Sequence, residues 1–196
     1  QVVASDPESF QAKEKIAAYY AMIEQIDDHV GRMLDCLNRS GQREDTLVIF
    51  TSDHGEMLGD HGLITKGCRF YEGLVHVPLI ISWPSVISQG VRKRSLVELT
   101  DIAPTLLDYA GIEKGERMIG RSLRRLLESE VDAHRKFVRC EYYRALSLLA
   151  PGREGWEGSY ATMIRTDRYK LVVYHGHGSG ELFDLEKDPG EFNNLW

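Results

Sequence analysis

No hydrophobic run in the chain reaches 18 residues, so no segment reads as a membrane span. Basic side chains are the minority, 24 Lys and Arg against 30 Asp and Glu. The resulting formal charge of −6 excludes the basic surface that nucleic-acid binding needs. Cysteine is scarce. The 3 present, at positions 36, 68 and 140, are odd in number and without a CxxC pair, which speaks against a disulfide framework or a zinc site. Internal repeats and low-complexity tracts are also absent. What is present is an ordinary globular composition, 196 residues with 42% hydrophobic content, enough for one domain or two small ones.

The chain is organised around residues 46–67, TLVIFTSDHGEMLGDHGLITKG. The apolar, β-rich run at 47–50 reads as a strand buried on both faces of a parallel sheet. It stops abruptly at Asp53, His54 and Gly55. Ligands of open α/β sheets bind in the crevice beyond the carboxyl ends of the strands, which makes this carboxylate and imidazole candidates for chemistry. Adjacent side chains on a regular strand point to opposite faces, but a glycine after the strand end lets the backbone turn and both converge on one metal. An Asp oxygen suits calcium, magnesium or manganese, and an imidazole beside it leans toward manganese or zinc. A turn with a satisfied histidine is the other reading, and the residues alone leave both open.

An apolar strand ending in Ser52, Asp53, His54 and Gly55 resembles the second metal-binding segment of the alkaline phosphatase superfamily. The likeness continues through GDHGLITKG, FYEGLVHVPLIISWP, DIAPTLLDYAGI, GRSL and the terminal YKLVVYHGHGSGELFDLEKDPGEFNNLW. Over nearly its whole length the chain is similar to the C-terminal portion of the sulfatase family and of the related phosphonate monoester hydrolases. The resemblance implies that Asp53 and His54 bind a divalent metal, calcium or alternatively manganese. It also implies that Lys66, thirteen positions after Asp53, is a catalytic and substrate-binding residue that contacts the sulfate.

Two marks of the family, an N-terminal pair of Asp ligands and the Cys-x-Pro-x-Arg segment whose Cys becomes formylglycine, do not occur in these residues. The Cys140 to Arg144 spacing lacks the Pro and reads as a strand with aromatic residues. The resemblance therefore implies a sulfate-ester hydrolase whose own N-terminal half carries the formylglycine nucleophile, this chain being inactive alone. It also implies a periplasmic or secreted location. The alternatives are a phosphonate monoester or phosphodiester hydrolase, and a non-catalytic fragment or interaction module.

The fold expected is α/β: residues 1–130 as the end of an alkaline-phosphatase-like α/β domain, and 131–196 as a small antiparallel β subdomain. Apolar residues recurring every three or four positions from Ile16 to Leu37 predict a long amphipathic helix stopped by Ser40 and Gly41. A second buried strand is expected over 77–84, a short one at 96–99, and a helix over 101–109 with Pro104 in its first turn. A short basic helix runs to Leu127. Four β-rich segments at 137–143, 160–165, 169–174 and 181–185 predict the antiparallel sheet, and 150–159 reads as a disordered or substrate-shaping loop.

A fixed ammonium at Lys66 makes chemical sense, because a sulfate ester develops negative charge on its leaving oxygen. A surface lysine in a mobile loop is the bland reading. Asp60 and His61 share that loop. Hydrogen bonds that stabilise it are their expected role, with His61 also a substrate-contact candidate. Asp27, Asp28 and His29 are consecutive on a helix and point about 100° apart, so they read as a solvated face. His175 and His177 share one face of an extended chain, but the glycines around them mark a hairpin tip. Cys68 reads as a packing residue, since no general base is adjacent.

Overall fold

The structure is a computed structural model that describes residues 12–143 and 160–196. It divides into two units. The first runs to Gly67 and resumes over His76–Gly90, and the second combines Cys68–Val75 with Val91–Trp196.

In the first unit, helix α1 (Ala12–Arg39) half-buries Ile16, Val30, Leu34 and Leu37 of the predicted stripe, while Tyr20, Ile23 and Ile26 stay exposed. It ends as expected. Gly41 takes a left-handed φ of 69°, its N–H donates to the Asn38 carbonyl, and the Gln42 N–H donates to Leu37. Strands β1 (Val48–Thr51) and β2 (Leu79–Ser82) then pair antiparallel, with Val48 opposite Ser82 and Thr51 opposite Leu79.

That pairing corrects the parallel expectation. An apolar run reports how much a strand is covered, not the direction of its partner, which is a non-local matter. Burial on both faces is not found either: β1 is only half-buried and Ile80 of β2 is 60% exposed. Side chains tie the ribbon at both ends. The Thr51 hydroxyl donates to the Pro78 carbonyl, Arg43 donates to the Ser82 hydroxyl, and the Trp83 indole donates to the Glu44 carbonyl.

The second unit contains helices α2 (Glu72–Val75), α3 (Ile102–Tyr109) and α4 (Arg124–Leu127) and a four-stranded antiparallel sheet in the order β3-β4-β5-β6. Its strands are β3 (Val138–Tyr143), β4 (Tyr160–Arg165), β5 (Tyr169–His175) and β6 (Ser179–Asp184), each within two residues of the predicted bounds. Period-2 alternation puts Cys140, Tyr142, Ala161, Met163, Val172 and Tyr174 on one face, where they surround Phe70. The tail covers the β6 edge: the Leu195 N–H donates to Leu182, whose own N–H is taken by the Asn194 side chain.

No strand forms at 96–99. Glu98 and Asp101 instead exchange side-chain and backbone hydrogen bonds as a capping box, which turns the chain into Leu99–Asp101 and on into α3. Asp101 is fully buried and also accepts from the Arg121 N–H and from the Arg135 guanidinium. The loop expected at 150–159 lies outside the described residues.

Candidate functional site

The chemistry-bearing residues of the first unit meet where β1 ends. Ser52 leaves the strand and its hydroxyl donates to the His54 carbonyl at 2.8 Å, closing a tight turn. Within that turn the His54 N–H donates to Asp53 Oδ1 at 3.0 Å, and this bond holds the exposed carboxyl below its usual range. The His54 ring is oriented by its own neighbour. Its Nδ1 lies 2.8 Å from the Gly55 carbonyl, an acceptor only, so Nδ1 carries the proton and Nε2 keeps the lone pair.

That lone pair faces two groups. Asp53 Oδ2 is 3.6 Å from Nε2, and the Lys66 ammonium is 2.6 Å from it. The turn therefore brings Asp53 and His54 together, and the loop returns Lys66 to them. The hydrogen bond from Lys66 to His54 was not legible in the sequence, where a twelve-residue spacing gives no register for a loop contact.

The loop itself is shaped by left-handed residues: Leu58, Gly59, His61 and Gly62 all have positive φ. Backbone bonds close it, from Gly59 N–H to Leu63 and from Asp60 N–H to Met57, both at 2.8 Å. Asp60 and His61 thus stand in a hydrogen-bonded turn, and the Gly55 carbonyl orients the His54 ring.

The donor set fits part of a divalent-cation site. An oxygen and a nitrogen 3.6 Å apart lie within the span of one cation whose bonds to oxygen and nitrogen are about 2.0–2.6 Å. Among the described residues no three His, Cys, Asp or Glu side chains cluster as a complete metal site, so further donors are needed for full coordination.

Elsewhere, His29 accepts from Arg32 on the exposed side of α1, and His175 bonds the Thr162 hydroxyl on the outer face of the sheet. Cys68 packs against the Phe70 cluster, where burial pushes its thiol up. The second unit also holds buried charge that sequence reading missed. Arg69 donates to both Tyr174 and Glu181, and the fully buried Lys170 pairs with Glu72 and Glu191. The available signal was Lys170 two positions from Val172 on the inward face of a strand.

A carboxylate, an imidazole and an ammonium thus converge at a strand end of a mixed α/β chain. Comparison with known proteins gives the family. The profile described as Sulfatase matches residues 2–112, and that described as N-sulphoglucosamine sulphohydrolase, C-terminal, matches residues 59–196. The chain belongs to the sulfatase family, within the alkaline phosphatase superfamily.

An N-acetylglucosamine-6-O-sulfatase of Bacteroides thetaiotaomicron is 33% identical over 190 residues, covering 96% of this chain and 33% of that protein. A solved structure described as a complex with its substrate D-glucosamine-2-N,6-O-disulfate superposes with a TM-score of 0.78 at 33% identity, covering 90% of this chain and 35% of the other. The phosphonate monoester hydrolase of Agrobacterium radiobacter gives a TM-score of 0.77 at 34% identity, covering 90% and 36% respectively. The chain spans about a third of the length of the curated relatives it matches.

Proposed function

We propose that the full-length protein hydrolyses sulfate esters and that this chain supplies the cation-binding pair Asp53 and His54 and the sulfate-contacting Lys66. The observation that carries the reading is the convergence of the three side chains, 3.6 Å and 2.6 Å from His54 Nε2, in a chain of the sulfatase family. The divalent cation, calcium or manganese, would supply positive charge that polarises a sulfate oxygen. Formylglycine, formed from a Cys in the N-terminal half, would supply the nucleophile.

The chain's own residues set up the rest. The Gly55 carbonyl holds the His54 ring so that Nε2 faces the site. The turn that binds the His54 N–H to Asp53 Oδ1 leaves Oδ2 directed toward it. Lys66 is exposed on its loop and can hold a sulfate oxygen or give a proton to the departing alkoxide. With two cation ligands and no nucleophile, the 196 residues alone are expected to be inactive.

The test is turnover by the full-length protein on aryl sulfate, choline sulfate and glucosamine sulfates, with peptide mass spectrometry for an upstream formylglycine. Turnover that is lost in Asp53→Ala supports the reading, and an upstream nucleophile that stays an unmodified Ser or Thr moves it to phosphoryl transfer. A second reading, phosphonate monoester hydrolysis, is favoured by the imidazole of His54 and by the phosphonate hydrolase structure at 34% identity. Competition between a sulfate ester and a phosphonate monoester for the same preparation separates the two.

A further inference from the structure

We propose that Lys66 and the divalent cation are mutually exclusive partners of His54, so that cation binding is what releases Lys66 to meet the anionic substrate. The inference rests on the reading of Asp53, His54 and Lys66 given above and concerns the regulation of that same site.

Imidazole geometry carries it. Because Nδ1 donates to the Gly55 carbonyl at 2.8 Å, Nε2 has the ring's single available lone pair. Lys66 Nζ lies 2.6 Å from that nitrogen, and an ammonium can only donate, so it sits on the lone pair. One in-plane lone pair serves either a hydrogen or a metal. Electrostatics works in the same direction. Asp53 Oδ2 is 3.6 Å from Nε2, so an ammonium at Nε2 also neutralises the carboxylate that a cation would share. A divalent cation and an ammonium about 4 Å apart disfavour one another roughly thirty-fold even at the dielectric constant of water, less where salt screens them.

Exchange needs little rearrangement. Lys66 is exposed, and four rotatable bonds let its ammonium leave Nε2 without moving the backbone. The site then has an order built into it: before the cation arrives, Lys66 satisfies His54 and balances Asp53, and only afterwards is its charge free for a sulfate oxygen. Lys66 alternates between internal counter-ion and substrate contact.

The experiment uses the full-length protein and Mn²⁺ as the probe. Free Mn²⁺ is followed by electron paramagnetic resonance in wild type, Lys66→Met and Asp53→Ala. In parallel, acetylation of Lys66 is timed by peptide mass spectrometry with and without saturating Mn²⁺, with Lys93, paired to Asp132, as the internal reference. Lys66→Met is expected to bind Mn²⁺ at least five-fold tighter, and Mn²⁺ to speed acetylation of Lys66 at least two-fold while leaving Lys93 unchanged. Asp53-dependent binding that Lys66→Met does not tighten, or acetylation of Lys66 that Mn²⁺ leaves unchanged or slows, overturns the exchange and spares the ligand assignment. Mn²⁺ binding that Asp53→Ala leaves intact, or no binding in any variant, removes the ligand assignment itself, and the exchange falls with it.

Discussion

Lys170 and Glu191 form an ion pair in the interior of the second unit, with the ammonium 2.7 Å from Oε1 and both side chains withdrawn from solvent. The same ammonium lies 2.7 Å from Glu72 and donates to the Phe70 carbonyl at 2.9 Å, and the other oxygen of Glu191 accepts the Glu72 N–H. One buried lysine thus anchors both α2 and the C-terminal turn to β5. Lys170→Met would leave the buried Glu191 and the half-buried Glu72 without their shared cation, Glu72 keeping Arg165. A loss of about 3–5 kcal/mol is expected, read as a lower urea midpoint. In Lys170→Met with Glu191→Gln the loss should be clearly less than the sum of the single changes. A Lys170→Met midpoint equal to wild type would show that the pair contributes nothing to stability.

Acid should weaken the second unit through the same kind of group. Burial alone would push Glu72 up, but the Lys170 ammonium and the Arg165 guanidinium outweigh it and hold the carboxyl low. Burial likewise opposes ionisation of Asp101, and hydrogen bonds from Arg135 and from the N–H groups of Arg121 and Glu98 reverse the balance. Both folded values lie below the unfolded ones, so the native state binds fewer protons than the unfolded chain in this range. Their stabilisation is present above the unfolded value near 4 and is lost as pH falls through the still lower folded value. Urea midpoints should therefore drop below about pH 4.5, and the drop should be shallower in Asp101→Asn, which is itself less stable at pH 7. An acid limb as steep in that variant as in wild type would exclude Asp101 from it.

The difference between what could and could not be read from the sequence follows the range of the interactions. The strands β3 to β6 were legible because alternation and turn residues are local, and Cys140, Met163 and Val172 fall on one face by period 2 alone. The close of α1 at Gly41 was legible for the same reason. The direction in which β1 pairs was not, because it depends on residues some thirty positions away. Nor was the absence of a strand at 96–99. Leu96 and Leu99 have strand-like character, but Glu98 finds Asp101 and the capping box wins over propensity. At the candidate site, Asp53 and His54 were legible as a pair, while the return of Lys66 onto Nε2 depends on the left-handed turn at Leu58 to Gly62.

Gly120 offers a test of close packing in the second unit. A Cβ added there would lie 1.9 Å from the Thr100 carbonyl oxygen and 2.6 Å from its carbon, both backbone atoms that cannot swing away. Gly120→Ala is expected to cost about 1–3 kcal/mol or more through forced backbone movement. Gly115→Ala, where nothing lies within 4 Å, should stay within about 0.5 kcal/mol of wild type. Thermal unfolding of the two variants side by side checks the contrast, and equal midpoints would mean that the segment yields easily.

Kinetics on Lys66 variants can separate the two roles given to the ammonium. The side chain is exposed, so Lys66→Ala should leave the unfolding midpoint within about 0.5 kcal/mol of wild type. In the full-length protein it should lower kcat by about 10²–10³, the loss typical of removing one preorganised charge at a developing anion. Substrate choice then assigns the role. A nitrophenolate departs without a proton and an alkoxide does not, so proton donation predicts a larger loss for alkyl sulfates than for nitrophenyl sulfate. Simple charge stabilisation of the sulfate oxygens predicts equal losses. Lys66→Arg sharpens the comparison, because it keeps the charge and cannot give up a proton at neutral pH. It should restore nitrophenyl sulfate turnover in preference to alkyl sulfate turnover if Lys66 is the acid. Undiminished turnover in Lys66→Ala on both substrates would remove Lys66 from the site altogether.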